Sequence, residues 1–378
     1  MSKESKYTVY GKKIDTLIDG HLERINEGVL SIVGEADLEA VILCGGYGRG
    51  EGGVFIGADG TENLYNDYDM MVLIKPVSGE KKAQYKRELT EFGEHMGEDI
   101  GIDVDFGPLK TVSQIKNSEF TLFNYEFKYG HMVTYGPQDI LDNIPEFDGN
   151  QIPIIEATKL LLNRAVGLLL SKEKLKAGKL SETDNEFVTR NIYKAIMASG
   201  DAVLMCEGTY DYSYSKRLEL MKAIKGSSLV RQLDIYELYC DSMKYKFVPE
   251  KNIYDEKQLS ELLEKASDQL MEMFYKTAAK AHNADSNNTY RIFSRGMFNE
   301  CCLKSLVKNV LLNFKTFKSK AFNINWLMKY PRYRLFYSLP FLMGCESKPS
   351  KAEVLNALGI SSDYDIHKRF ITLWERFG

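Results

Sequence analysis

Cysteine, histidine and long apolar runs are all scarce in this chain of 378 residues. The six cysteines include one adjacent pair, Cys301-Cys302, and show neither a disulfide spacing nor a Cys/His metal pattern. None of the five histidines precedes an aspartate, so a metal phosphohydrolase site built on a His-Asp pair is not encoded. No apolar run approaches the ~18 residues of a membrane span. The first residues, Met1-Ser2-Lys3-Glu4-Ser5-Lys6, are polar and unlike a secretion signal. A net charge of −4 excludes a basic nucleic-acid coat. The expectation is a soluble protein of the reduced cytoplasm with no membrane partner.

What the chain does contain is concentrated in residues 41–106. Val41-Ile42-Leu43-Cys44 is a short apolar strand running into Gly45-Gly46-Tyr47-Gly48-Arg49-Gly50-Glu51, with four glycines in six residues. Backbone N–H groups in such a turn can approach an anion closely. A helix starting there would add a favourable field, and Arg49 offers a planar fork for phosphate oxygens. The next strand, 70–74, is preceded by Asn66-Asp67-Tyr68-Asp69. Residues i and i+2 of a strand share a face about 7 Å apart, and carboxylates that close repel unless a cation lies between them. A third strand repeats the pattern, with Asp103 and Asp105 on one face and Ile102, Val104 and Phe106 on the other. All-oxygen carboxylate sites suit Mg²⁺ or Mn²⁺, and converging pairs can hold two such ions for phosphoryl transfer.

Together, and in this order, these residues resemble the nucleotidyltransferase superfamily that includes DNA polymerase β. The string from Gly45 to Glu51, followed by Asn66-Asp67-Tyr68-Asp69, is most similar to the N-terminal domain of the protein uridylyltransferases. The resemblance spans roughly residues 38–137. It implies that Gly45 and Gly46 bind nucleotide phosphates and that Asp67 and Asp69 are metal ligands. The third carboxylate is Asp105 or Asp103, and the apolar–acid–apolar pattern Val104-Asp105-Phe106 leans to Asp105. The implied activity is transfer of a nucleoside monophosphate from a nucleoside triphosphate, with Mg²⁺ or Mn²⁺, to an acceptor hydroxyl of a small molecule or protein. Nucleic acid is an acceptor of lower rank. The alternatives are a catalytically silent nucleotide-binding regulator and, from composition alone, an RNA or polyanion binder acting through the Lys-rich residues 303–334.

Three departures narrow the family reading. Twenty residues separate Gly46 from Asp67, about twice the family's usual spacing, and the surplus resembles a hairpin turning at Asp59-Gly60. The missing His-Asp pair means that this is not a full-length protein uridylyltransferase. The absence of an Arg-x4-His motif argues against toxins whose ribonuclease domains pair with small nucleotidyltransferases.

Outside this stretch the pattern is mostly helical. Apolar residues at helical spacing mark 8–35, and residues 80–97 read as a crossover helix between the two acidic strands. Residues 120–127 and 131–135 read as a helix-to-strand or strand-pair segment, with His131 weighed and set aside as a base. A linker at 142–153 precedes helices at 156–170, 183–206, 216–225, 232–244 and 255–282, with a break in the polar run 283–288. The expected class is α+β: a mixed-sheet nucleotidyltransferase domain (1–150), a helical domain (151–285) and a helical extension (286–378). Lys194, with Arg164 and Lys216, is a candidate phosphate contact from the helical part. Residues 303–334 contain no acid, but carry eight lysines and arginines interleaved with aromatics, a composition suited to a polyanion or an acidic partner.

Overall fold

The computed structural model describes residues 5–9, 13–142, 144–284, 290–295, 303–318, 326–361 and 365–378. Cys301-Cys302, residues 285–288, Lys320 and Phe322 lie outside the described residues. The chain opens with α1 (Lys13–Val33), β1 (Leu38–Leu43), the one-turn α2 (Gly45–Gly48), β2 (Gly53–Ile56), β3 (Glu62–Tyr65) and β4 (Tyr68–Ile74). It continues with α3 (Gly79–Ile100), β5 (Val104–Phe106), α4 (Val112–Lys116), α5 (Leu122–Tyr129) and β6 (Met132–Tyr135). Beyond Ile154 the described residues hold helices only: α6 (Ile154–Ala177), α7 (Glu182–Glu207), α8 (Tyr214–Ala223), α9 (Ser228–Leu233), α10 (Tyr236–Phe247) and α11 (Glu256–Ala281). They end with α12 (Ile292–Arg295), α13 (Leu303–Phe317), α14 (Arg332–Met343), α15 (Lys351–Leu358) and α16 (Ile366–Phe377). The protein is therefore α+β, with its sheet confined to the N-terminal part. Among the described residues no helix is long and apolar enough to cross a membrane.

The chain divides into two compact units. The first comprises Met1–Ile152, Gly208–Ala223 and Cys240–Lys251. Its four-stranded sheet has the order β5-β4-β1-β6. β4 and β5 are parallel, while β1 runs antiparallel to β4 and β6, so the sheet is mixed. A parallel pair requires a long crossover, and α3 supplies it. The Ser78 side chain caps its first turn, and Gly101 closes it in the left-handed region at φ 73°.

One sheet face is buried by α1 and α3: Ile18, Ile25, Val29 and Leu89 pack with Val41, Leu43, Val72 and Ile74. On the other, Ile42, Met71 and Leu73 meet Ile115 of α4 and Phe127 of α5. β4 serves both layers because side chains alternate along a strand. The expected hairpin is present as β2 and β3, a separate two-stranded sheet. Its turn is closed by the Asp59 carboxylate, which accepts from Thr61 N–H at 3.0 Å, with Gly60 at φ 78°.

The second unit comprises Pro153–Glu207, Ile224–Tyr239 and Asn252–Gly378. Within it α6, α7 and α11 pack together, and α14 packs with α12, α15 and α16. Two buried polar side chains there are tied in: Tyr239 donates to Asp201 at 2.7 Å, and Arg334 donates to Asn313 and to the Ala357 carbonyl.

Candidate active site

The acidic strands lie side by side. The parallel register pairs Asp69 with Asp105, and the buried Tyr68 and Met70 with Val104 and Phe106. With Tyr68 and Met70 turned into the larger core, Asp69 is left exposed on the opposite face. Asp105 stands on the same face as Asp69, and Asp67 precedes Asp69 by two residues. Desolvation by surrounding protein, and then the charges of Asp67 and Asp105, push the Asp69 carboxyl up to about 6, against the pull of Lys246 and Arg49. Asp105 is raised as well, by desolvation and then by Asp67 and Asp103. Asp103 is exposed, and its carbonyl accepts the Tyr68 N–H at 2.8 Å, which fixes the start of the strand pair.

The glycine turn abuts these carboxylates. Cys44 N–H donates to the Asp69 carbonyl at 2.7 Å, carrying β1 directly into Gly45. Gly45 has φ 64°, and a Cβ there would fall 2.0 Å from Asp69 Oδ2. Glycine is thus demanded twice, by backbone conformation and by the neighbouring carboxylate. A Cβ on Gly46 would lie 2.9 Å from the Lys246 ammonium, so this cation, brought in by α10, sits over the turn. Lys246 is half-buried and lies 5.3 Å from the Tyr214 ring centre.

Arg49 is placed differently from its sequence-based reading as an open phosphate fork. Its side chain is 6% exposed, and Nη2 lies 2.9 Å from Glu126 Oε2. Arg217 of α8 binds the other oxygen, Oε1, at 2.8 Å, and Tyr210 donates to that same oxygen at 2.6 Å. Burial works against the Glu126 charge, but Arg49 and then Arg217 hold its carboxyl below the usual carboxylate range. Glu51, at the end of the glycine stretch, is 4% exposed and caps α8. It accepts from Tyr214 N–H and Ser213 Oγ at 2.8 Å and from Ser215 N–H at 3.0 Å.

The hairpin is tied to the same turn. Tyr47 is 1% exposed; its hydroxyl accepts from Tyr65 N–H at 3.1 Å and reaches the Gly53 and Tyr65 carbonyls at 2.9 and 3.0 Å. The Tyr65 and Tyr245 hydroxyls meet at 3.0 Å, and Lys251 lies 4.7 Å from the Phe55 ring centre. The hairpin thereby grips the chain on either side of Lys246.

The structure brings together Gly45, Gly46, Asp67, Asp69 and Asp105, with Asp103 at the start of β5. It places Lys194 and Arg164 in the second unit, on α7 and α6. Lys216 is exposed on α8 and paired with Glu219 at 2.8 Å. His131 Nδ1 lies 2.8 Å from the Lys128 carbonyl. In the lysine-rich segment Phe317, Trp326 and Tyr333 are buried in the second unit, as is Arg334. The residues that sequence reading missed are Lys246, Glu126, Arg217 and the capping role of Glu51. Glu51 alone carried a signal, an acid closing a glycine-rich turn; the others join the turn only through the fold.

Two observations test the site for a divalent cation. The donors are oxygen atoms of adjoining carboxylates whose mutual repulsion is visible in Asp69, which is the chemistry of a hard-cation site. Among the described residues, however, no three His, Cys, Asp or Glu side chains are gathered tightly enough to hold an ion. The donor chemistry fits a divalent cation, while the side chains as they stand do not enclose one. No protein-family model and no curated protein matches the chain.

Proposed function

We propose that this protein is a metal-dependent nucleotidyltransferase, acting from the first unit through Asp67, Asp69 and Asp105. One observation carries the reading: Asp69 and Asp105 stand in register on one sheet face, directly against a glycine turn in which a side chain at Gly45 would collide with Asp69. Gly45 and Gly46 let the nucleotide's phosphates approach the backbone, and Lys246 sets a positive charge over them. A Mg²⁺- or Mn²⁺-type ion held by Asp67, Asp69 and Asp105 would supply further positive charge for the phosphate oxygens and the acceptor hydroxyl. The acceptor oxygen bonds to the α-phosphorus while the bond to the pyrophosphate oxygen breaks. The acceptor proton passes to a carboxylate of the cluster, in which Asp105 is the register partner of Asp69. Arg49 acts beneath the turn, bound to Glu126, and stiffens it.

The test is binding of the four nucleoside triphosphates with and without Mg²⁺ to the wild type and to Asp67→Ala/Asp69→Ala. Metal-dependent binding lost in the variant is the expected result. Equal binding by both proteins, or transfer by Asp67→Ala at the wild-type rate, overturns the assignment. Polyanion binding through residues 303–334 is the weaker reading, because Phe317, Trp326 and Tyr333 are buried and not available for stacking.

A further inference from the structure

On the face that carries Asp69, a second cation remains that the nucleotide reading does not use. Lys110 forms a parallel bridge with Leu73, two strand steps beyond Asp69 on the same face of β4. Cys44, which packs against the same cluster as Leu73, donates its N–H to the Asp69 carbonyl. Lys110 and Asp69 thus share one face of the sheet. Lys110 is half-buried, and among the described residues its ammonium has no carboxylate partner and no hydrogen bond. Its close neighbour is the Phe123 ring, 5.2 Å from Nζ.

Phe123 is itself unusual. It is 50% exposed, yet held flat by stacking on Phe127, whose ring belongs to the core between the sheet and α5. An aromatic face beside an ammonium stabilises the cation without neutralising it. A half-buried charge with no counter-ion is costly, and an anion arriving there recovers that cost in a medium less screening than water. The two cations come from different elements: Lys246 lies over Gly46, and Lys110 stands beside Leu73 on the sheet face that carries Asp69.

We propose that Lys110 and Phe123 form an oxyanion subsite for the acceptor, so that the molecule modified here carries a phosphate or carboxylate near the hydroxyl that is nucleotidylated. This rests on the nucleotidyl-transfer reading. It selects anionic acceptors over cationic ones at a site otherwise ringed by Asp67, Asp69, Asp103 and Asp105.

The experiment uses the full chain labelled with [ε-¹³C]lysine, with Lys110→Met to assign the Lys110 signal. Inorganic phosphate is titrated without divalent cation, then again with Mg²⁺ and a non-hydrolysable triphosphate bound. The expected result is a saturable shift of the Lys110 signal in the low-millimolar range. It should be at least fivefold weaker in Phe123→Ala, retained in Lys110→Arg by direct calorimetry, and unchanged by the bound triphosphate. A shift no larger than chloride gives at equal ionic strength overturns the subsite. Phosphate binding in Phe123→Ala equal to wild type removes the aromatic from it. Blocking of the phosphate titration by the triphosphate overturns the acceptor assignment and gives Lys110 to the donor. Failure of the underlying reading is separate, appearing as no Mg²⁺-dependent triphosphate binding by the wild type.

Discussion

Glu126 accepts from three side chains at once, and that concentration of charge makes it the most consequential single residue beneath the glycine turn. Removing one member of a buried ion cluster leaves the others uncompensated, at a cost of about 3–5 kcal/mol. Glu126→Gln should lower stability by that amount in urea unfolding, with Arg49 and Arg217 left sharing a neutral amide. The pH dependence has a definite sign. The Glu126 carboxyl titrates lower in the folded state than in the unfolded chain. Its contribution is therefore complete above the ordinary glutamate range and is lost as pH falls through the folded-state value. Unfolding midpoints of wild type should drop more steeply in acid than those of Glu126→Gln. Gly45→Ala meets both a left-handed φ and the Asp69 carboxylate. It should abolish metal-dependent nucleotide binding while far-ultraviolet circular dichroism keeps its helical signal.

Among the elements, the β2–β3 hairpin has the clearest testable role. Tyr47→Phe removes the hydroxyl that matches the Tyr65 N–H and reaches two hairpin carbonyls in a buried setting. The cost should be about 1–3 kcal/mol, and hydrogen exchange at the Tyr65 amide should quicken more than exchange in β4. The same elements show what the sequence could and could not reveal. Helix α1 was legible within 8–35 and α3 around 80–97, because one apolar stripe repeats at helical spacing. The hairpin was legible from Asp59-Gly60, and the acidic strands from apolar residues alternating with aspartate. The grip of the hairpin on Tyr245 was not, since the partner lies 180 residues away and nothing local marks it. Nor was the turning of Arg49 away from solvent. An arginine beside glycines carries the same local signal whether its partner is a ligand phosphate or Glu126.

For the whole molecule, the discontinuity of the first unit matters most. Its sheet ends before residue 152, but α8 and the 240–251 segment belong to it. A fragment ending at residue 152 would leave Glu51 without the N-terminus it caps and Glu126 without Arg217. Such a fragment should show no cooperative unfolding and no near-ultraviolet circular dichroism, whereas the full chain should show both. There is a consequence for biosynthesis as well. A ribosome adding about 5–20 residues per second takes on the order of ten seconds to make the roughly hundred residues between 152 and 251. For that interval the sheet has emerged with its carboxylate-bearing turn unfinished, and Glu126 waits for a guanidinium not yet translated. The order of synthesis thus puts the closing of the turn beside Asp69 last, after residue 251 has been added.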